Sequence, residues 1–212
     1  MIISISGKMG SGKDTIAEII KQVTAGTDWE VKKFAGKLKE IASLLTSIPI
    51  EKFEDQQFKQ TSLPEQWNSA NGDPMTVRDL LQQLGTEAMR SGLHENVWVN
   101  ALFAEYQSEI EFTESFDFVD GTDWVIKPSS FCYPNWIITD TRFPNEIAAC
   151  VERKGICIKV ERNSEMNIGN THASETALDE YTKWDYRIDN TGTREQLHSQ
   201  IHAMCTQLNL IN

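Results

Sequence analysis

Residues 7–15 read Gly-Lys-Met-Gly-Ser-Gly-Lys-Asp-Thr, and this stretch decides the fold. It follows an apolar run at residues 2–5 and precedes apolar residues at helical spacing between positions 16 and 23. Strand, glycine-rich turn and helix, in this order, are the context that a phosphate-binding loop requires. Glycines let backbone N–H groups curl around phosphate oxygens, and the positive end of the following helix faces the same anion. We therefore expect the loop to bind phosphate groups through Gly7, Gly10, Ser11, Gly12, Lys13, Asp14 and Thr15.

The spacing G-x-x-x-x-G-K is met by Gly7, Gly12 and Lys13, and the lysine can reach the outer phosphates. The next position of such a loop is usually Ser or Thr, whose hydroxyl binds Mg²⁺, but here it is Asp14, followed by Thr15. Asp14 could bind the metal directly or through water, or Thr15 could take over that role. The alternative is a glycine-rich turn without a ligand, which the flanking strand and helix disfavour.

Composition excludes several classes of function. The chain has 212 residues, enough for one α/β domain with an insertion. Its 31 acidic residues outnumber its 20 basic ones, so no nucleic-acid partner is expected. The four cysteines form no C-x-x-C pair, no apolar run could cross a bilayer, and no signal peptide precedes the first strand. These features predict a cytoplasmic protein with free thiols, no zinc and no membrane partner.

Strand-like and helix-like segments alternate along the chain, which predicts an α/β fold. We expect a central parallel sheet of about five strands, flanked on both faces by helices. The predicted strands cover residues 2–6, 29–34, 136–139, 156–160 and 186–188. The predicted helices cover about 14–24, 37–45, 76–90, 97–108, 144–154 and 193–208, with capping boxes at Thr76/Asp79 and Thr193/Gln196.

Three segments lie outside this alternation. Residues 46–75 predict either an irregular surface segment or a loop that covers a substrate, and their aromatic residues predict that it packs on the rest of the chain. Residues 109–134 are acidic and aromatic, and their alternation around positions 116–118 and 124–126 predicts a hairpin-like insertion. Residues 161–185 form a polar segment before the last predicted strand.

Ligands of a parallel sheet bind at the carboxyl ends of its strands, where several candidates fall. Asp140 could hold the hydration shell of Mg²⁺, and Arg142 could neutralise a phosphoryl group in transfer. Arg162 opens the polar segment and could close over phosphates, and Asn190 could form a wall beside adenine. The alternatives are exposed turn residues in each case.

The predicted helix at residues 76–90 carries a second set of candidates. An arginine fork at Arg78 or Arg90 suits a monophosphate, and the amide of Gln82 suits a base edge. For Arg78, Gln82 and Arg90, the sequence alone favours an exposed helix face without a ligand. Thr86 could likewise bind the substrate or lie on that exposed face. Trp98 could stack on a base or fill the core, and the core is favoured.

Together these motifs resemble the deoxynucleoside monophosphate kinases of bacteriophages and some bacteria, within the P-loop nucleoside monophosphate kinase superfamily. The resemblance covers nearly the whole chain, and aspartate after the loop lysine is shared by the family. It implies one P-loop kinase domain over residues 1–212, with a monophosphate-binding region at 35–100 and a lid at 161–185. The matching pieces are GKMGSGKDT at 7–15, FAGKLKE at 34–40, TVRDLLQQLGTEAMR at 76–90, Trp98, DTRFPNE at 140–146, HASETAL at 172–178 and the turn at 189–192.

The implied reaction is ATP plus a deoxynucleoside monophosphate giving ADP plus the diphosphate, with Mg²⁺. The implied catalytic residues are Lys13, Asp14, Asp140, Arg142 and Arg162, with metal at Asp14 and Asp140. Asn190 would join the loop in binding ATP. Arg78, Gln82, Thr86, Arg90 and Trp98 would bind the substrate. A phage-encoded enzyme would work in the host cytoplasm, and the sequence does not decide between a monomer and a homodimer.

Two other interpretations stay open at this point. The first is a P-loop kinase of another small phosphate ester, such as phosphomevalonate or dephospho-coenzyme A, because one phosphomevalonate-kinase branch carries the same Gly-Lys-Asp loop. Gln82 with Trp98 weakly favours a base over an isoprenoid. The second is a regulator that binds ATP without transferring phosphate and uses residues 109–134 to contact a partner.

Overall fold

The computed structural model describes residues 1–113, 127–162 and 176–211. Its strands are β1 (Ile2–Ser6), β2 (Trp29–Lys32), β3 (Glu109–Thr113), β4 (Lys127–Cys132), β5 (Asn135–Ile138), β6 (Ile156–Glu161) and β7 (Tyr186–Asp189). Its α-helices are α1 (Lys13–Val23), α2 (Gly36–Thr46), α3 (Val77–Gln82), α4 (Val97–Phe103), α5 (Pro144–Glu152) and α6 (Arg194–Gln207). Five strands form one sheet in the order β2-β5-β1-β6-β7, and every pairing is parallel. The predicted α/β fold is confirmed and is consistent with a P-loop kinase.

Strand β1 lies at the centre of the sheet, between β5 and β6. All five of its residues are buried, because helices cover both faces. Ile3 and Ile5 pack into a cluster with α1 and α6, whereas Ile2 packs into the opposite cluster with α4 and α5. The carboxyl end of the central strand therefore opens directly into the glycine-rich loop.

The segment between α2 and α3 is irregular, as the sequence predicts, but it is anchored. It contains short 3₁₀ turns at Ile50–Glu54, Phe58–Gln60 and Glu65–Trp67. Phe53 is fully buried in a third cluster with residues of α2 and α3. Burial of a whole phenylalanine side chain contributes about 2–3 kcal/mol, so this segment has a fixed position beside the sheet.

The predicted helix at residues 76–90 differs in part from the structure. The Thr76/Asp79 capping box is confirmed, but α3 ends at Gln82 and a wider π-helix continues over Gln83–Ser91. Inside it, the Gly85 carbonyl accepts a hydrogen bond from Trp98 Nε1 at 2.8 Å, and a Cβ at position 85 would lie 2.8 Å from Leu38 Cδ2. These tertiary contacts, which no local pattern reveals, accompany the change in helix type.

Two element ends also differ from the predicted ones. Helix α4 ends at Phe103 and not near 108, because Glu105 turns to pair with Lys32 and Lys37 while Tyr106 packs on Trp136. Helix α5 ends at Glu152 and not near 154, and Lys154 after it is left-handed, with φ 56°. Glycine is needed at 155 because a Cβ there would lie 2.8 Å from the Cys150 carbonyl oxygen.

The insertion contains an antiparallel pair, β3 with β4. The predicted alternation at 116–118 and 124–126 lies outside the described residues, as do residues 163–175 of the predicted lid. The Thr193/Gln196 capping box of α6 is confirmed. In the described ranges, no helix is both long and apolar enough to cross a membrane.

Candidate functional site

The glycine-rich loop connects β1 to α1 through backbone conformations that favour glycine. Gly10 and Gly12 have φ values of 76° and 94°. A Cβ at position 12 would lie 2.4 Å from Nδ2 of Asn190, which itself donates a hydrogen bond to the Ser11 carbonyl at 2.8 Å. Asn190 follows β7, so the end of the last strand holds the loop in its shape.

The inside of the loop carries polar groups suited to an anion. Ser11 Oγ is buried and has no hydrogen-bond partner among the described residues. The Lys13 ammonium lies across the loop and donates to the carbonyl oxygens of Gly7 and Lys8, at 2.8 and 2.9 Å. A cradle of backbone groups with an unsatisfied hydroxyl and a lysine fits the phosphates of a nucleotide.

Two residues of the polar segment at 161–185, Arg162 and Asp179, contact this loop. Arg162 Nη1 lies 3.5 Å from the Gly10 carbonyl oxygen, and Lys8 forms an ion pair with Asp179. Both ends of the predicted lid that the structure describes are therefore attached to the loop.

Asp14 occupies the first turn of α1, beside the loop. Its side chain is 71% exposed, and its Oδ1 accepts a hydrogen bond from Thr139 Oγ1 at 2.9 Å and lies 3.5 Å from Lys33 Nζ. Thr15, the alternative metal ligand, is half-buried in the same turn. The described residues contain no group of three or more His, Cys, Asp or Glu side chains placed to hold a metal. Mg²⁺ needs only one or two carboxylates when phosphates and water supply its other ligands, so an exposed carboxylate beside the loop fits it.

Asp140 is engaged in a way that the sequence does not reveal. Its two carboxylate oxygens accept the backbone N–H groups of Phe34 and Ala35, at 2.7 and 2.9 Å. This pair of bonds holds the turn between β2 and α2 against the end of β5. Burial alone would lower the pKa of the neighbouring Lys33, but the carboxylates of Asp14, Glu54 and Asp140 raise it.

Arg78 brings α3 to the tip of the glycine-rich loop. Its Nη1 and Nη2 atoms lie 3.9 and 3.8 Å from the sulfur of Met9. Nη2 also donates to Gln56 Oε1 at 3.3 Å. The Gln60 amide, turned so that its oxygen faces the guanidinium, accepts from Nη2 and Nε at 3.2 and 3.1 Å. Two glutamines thus fix an arginine next to the loop.

A cationic cluster is formed by Lys39, Lys59, Arg78 and Arg142 with the carboxylate of Glu54. Lys39 of α2 pairs with Glu54 at 2.6 Å, and Lys33 lies 3.5 Å from the same carboxylate. Lys59 is half-buried in the middle 3₁₀ turn. Its pKa is lowered to about 8 by burial and by the positive charges of Lys39, Arg78 and Arg142, which Glu54 only partly offsets.

Arg90 and Glu146 form a buried pair behind this cluster. Arg90 Nη2 donates to Glu146 Oε1 at 2.7 Å, and its guanidinium carbon stands 3.8 Å from the Phe143 ring centroid. Glu146 Oε2 accepts the backbone N–H groups of Arg142 and Phe143, at 2.7 and 3.1 Å. Burial raises the pKa of Glu146 to about 7. Through the bonds to the Arg142 and Phe143 backbone, the pair fixes the position of the turn that carries Arg142.

The comparison with known families gives one match. A sequence model of the deoxynucleotide monophosphate kinase family matches residues 38–201. The chain belongs to this family. No curated protein matches the chain. The family identifies the protein as an enzyme, a phosphotransferase that acts on a small nucleotide.

The family match and the loop are independent lines of evidence. Residues 7–15 lie upstream of the matched range, so the loop contributes nothing to that match. The loop nevertheless meets Arg78, which lies inside the matched range, at the Met9 contact. In this chain, the glycine-rich loop therefore lies next to the cationic cluster of the matched range.

The structure brings some of the predicted site residues of this kinase together and separates others. Arg78 and Arg142 share the cluster, whereas the two Nη atoms of Arg90 are engaged by Glu95, Asn145 and Glu146. Trp98 is 5% exposed, and its only ring N–H bonds to Gly85, so its side chain belongs to the core. The predicted roles of Arg90 and Trp98 in binding substrate stay predictions, which these contacts and the burial of Trp98 do not favour. Gln82 and Thr86 are half-buried on the helix that carries Arg78.

Lys59 and Lys39 are the residues that sequence reasoning missed. Lys59 lies in the weakly patterned segment at 46–75, where no periodicity assigns it a direction. Lys39 lies in the FAGKLKE stretch at 34–40, but only its pairing with Glu54 shows that it belongs to the cluster. The available signal was a basic residue in a segment expected to cover the substrate.

Proposed function

We propose that the protein transfers the γ-phosphoryl group of ATP to a deoxynucleoside monophosphate, giving ADP and the deoxynucleoside diphosphate. The observation that carries the proposal is the meeting of two anion-binding regions at Met9 and Arg78. Transfer between two phosphorylated nucleotides requires two adjacent sites for phosphate. The family match supports a nucleotide as the acceptor.

The ATP side of the site is the glycine-rich loop. Its backbone N–H groups and the Lys13 ammonium would hold the β- and γ-phosphates, and Ser11 Oγ would gain a partner there. Arg162, which already lies beside Gly10, would add positive charge from the start of the lid. Asn190 would keep the loop in shape while its backbone lies beside the adenine.

Mg²⁺ would be held by Asp14, with Thr15 in the same turn. When bound, Mg²⁺ neutralises phosphate charge and fixes the orientation of the phosphates. Asp140 would act only through water, because both its oxygens already accept backbone N–H groups. Thr139 donates a hydrogen bond to the Asp14 carboxylate and Lys33 lies beside it, and both contacts keep it oriented.

The acceptor side is the cationic cluster. The forked guanidinium of Arg78 would bind the monophosphate, and Arg142 would stabilise the phosphoryl group in transfer. Gln82 lies four residues after Arg78 on the same helix, where its amide would meet the base, and Thr86 lies one turn further on. Arg90 would support Arg142 through Glu146 and would not bind the phosphate.

Positioning and charge neutralisation would supply most of the rate enhancement. The attacking oxygen of a nucleoside monophosphate is already anionic at neutral pH, so no general base has to remove a proton from it. The chain's own contribution would be to hold two polyanions close together against their repulsion. Lys13, Arg142 and Arg162 would offset that repulsion in the transition state.

A substrate panel tests the proposal. ADP formation from ATP and Mg²⁺ is measured with dTMP, dGMP, dCMP and dAMP, their ribose counterparts, phosphomevalonate and dephospho-coenzyme A. Turnover with one or more deoxynucleotides is the expected result and also reveals the base preference. Turnover with phosphomevalonate or dephospho-coenzyme A alone would contradict the proposal. The proposal would also be contradicted if the protein binds ATP but forms no ADP with any of these compounds.

A further inference from the structure

Lys59 is a half-buried cation that lies beside other positively charged side chains. Its side chain is half-buried in the 3₁₀ turn Phe58–Gln60. The hydrogen bonds and ion pairs of the described residues leave the Lys59 ammonium without a partner, although its neighbours Lys39 and Arg78 are both fixed by side-chain contacts. A partly buried ammonium group without a partner destabilises the fold. Such a group is expected where a ligand supplies the missing negative charge.

The charges that face Lys59 come from four elements. Lys39 approaches from α2, Glu54 from the preceding 3₁₀ turn, Arg78 from α3 and Arg142 from the turn after β5. Glu54 lies within 2.6 Å of Lys39 and 3.5 Å of Lys33, so one carboxylate already serves two lysines. The cluster therefore retains an excess of positive charge around Lys59.

The turn that carries Lys59 also holds Arg78. Gln60, the next residue, accepts hydrogen bonds from the Arg78 guanidinium, and Arg78 contacts Met9 of the loop. We propose that Lys59 is a second ligand of the acceptor phosphate, beside Arg78, and that it binds the phosphate dianion as a charged ammonium group. The identity of the acceptor rests on the proposed function, whereas the phosphate site rests on the cluster itself.

This assignment couples acceptor binding to a proton. The pKa of Lys59 is lowered to about 8 in the free protein, so above this pH much of the population carries a neutral amine. A bound phosphate dianion favours the ammonium form and raises that pKa. The monophosphate itself loses its last proton near pH 6 and does not titrate in this range. Affinity for the acceptor is therefore nearly constant up to about pH 7 and falls as the pH rises through 8, and binding at the higher pH takes up a proton.

Kinetics of three variants test this assignment. Lys59→Met removes the charge, Lys59→Arg keeps it at all accessible pH values, and Lys52→Met removes an exposed charge from the same segment as a control. We expect Lys59→Met to raise the KM for the deoxynucleotide roughly 10- to 100-fold while the KM for ATP is unchanged. Lys59→Arg should keep a low KM that no longer rises above pH 8, and Lys52→Met should match the wild type.

Several kinetic results would overturn the assignment. One is a Lys59→Met variant with the wild-type KM for the acceptor. Another is an equal rise of the KM for ATP, which would indicate general damage to the site. A third is a rise of KM above pH 8 that persists in Lys59→Met.

A titration without turnover separates this inference from the proposed function. Protein labelled with ¹³C at the lysine ε-carbons is titrated by NMR with and without inorganic phosphate, and the Lys59 signal is assigned by its loss in Lys59→Arg. We expect a midpoint near pH 8 that moves upward when phosphate is added, and an unmoved midpoint would overturn the site. If the wild type phosphorylates no deoxynucleotide, the proposed function fails and this titration still decides the phosphate site. If the wild type turns over and Lys59→Met matches it, only the role of Lys59 fails.

Discussion

The glycine-rich loop and the cationic cluster face each other, but the chain specifies them in different ways. The loop is a run of consecutive residues, 7–15, shaped by backbone dihedral angles at Gly10 and Gly12. The cluster is drawn from α2, two 3₁₀ turns, α3 and the turn after β5, and side-chain ion pairs and amides hold it together. A local sequence signal is therefore sufficient for the first region, whereas the second exists only in the folded chain.

The largest effect should follow removal of the loop lysine. Lys13→Ala should lower kcat roughly 10³- to 10⁵-fold, because a full positive charge next to the transferring phosphoryl group is lost. Lys21→Ala, on the exposed end of the same helix, is the matched control and should retain wild-type turnover. Circular dichroism and Tm should be the same for both variants. Near-normal turnover of Lys13→Ala would remove the loop from the mechanism.

The next largest effect concerns the free energy of unfolding, which should depend on the buried pair of Arg90 and Glu146. At pH 8, above the pKa of about 7 for Glu146, Arg90→Met should lower the free energy of unfolding by about 3–5 kcal/mol, because it leaves a buried carboxylate unpaired. In a Glu146→Gln background the same change should cost much less. Urea unfolding of the four proteins in this double-mutant cycle measures the coupling. Additive effects would show that Arg90 and Glu146 do not stabilise each other in the fold.

Replacing Arg78 should change the KM for the deoxynucleotide and leave the KM for ATP unchanged. Arg78→Ala should raise the KM for the deoxynucleotide roughly 10- to 100-fold and leave the KM for ATP unchanged, because only the acceptor phosphate loses a ligand. Arg78→Lys should restore little, since an ammonium group cannot reproduce the forked contact. Steady-state kinetics with each substrate varied in turn makes the measurement. An activity that survives Arg78→Ala intact would instead fit a protein without an acceptor site.

The smallest effect is expected from replacing Gly26, which we compare with Gly12 because both glycines have a positive φ. Gly26 has φ 107° and open space around it, so Gly26→Ala should cost about 1–2 kcal/mol of stability and leave kinetics unchanged. Gly12→Ala should cost more and also raise the KM for ATP, because the new Cβ displaces Asn190 from the loop. Thermal unfolding and ATP kinetics together check this. Equal behaviour of the two variants would mean that Asn190 does not shape the loop.

The fold and the loop could be predicted because their signals are local. Apolar runs mark the strands, and the glycine spacing marks the turn after β1. The capping boxes at Thr76 and Thr193 identify helix starts within one turn of sequence. Each of these features depends on residues a few positions apart, which is the range over which patterns are informative.

The rest of the site depends on contacts between distant residues. Sequence places Asp140 near a metal, but only the structure shows the N–H groups of Phe34 and Ala35 on its oxygens. Sequence offers Arg90 as a phosphate ligand, but only the structure shows its partner Glu146, 56 positions away. Lys59 gains significance only from the charges that the fold brings around it. Sequence supplies residue types here, and only the tertiary structure shows which of them lie together in the cluster.

The most direct test of the account is to observe the transfer itself. Purified protein is mixed with ATP, Mg²⁺ and the four deoxynucleoside monophosphates, and ³¹P NMR follows every phosphate. The account predicts that ADP and a deoxynucleoside diphosphate appear in equal amounts without inorganic phosphate. Release of inorganic phosphate alone would contradict it, as would an unchanged spectrum from protein that binds ATP.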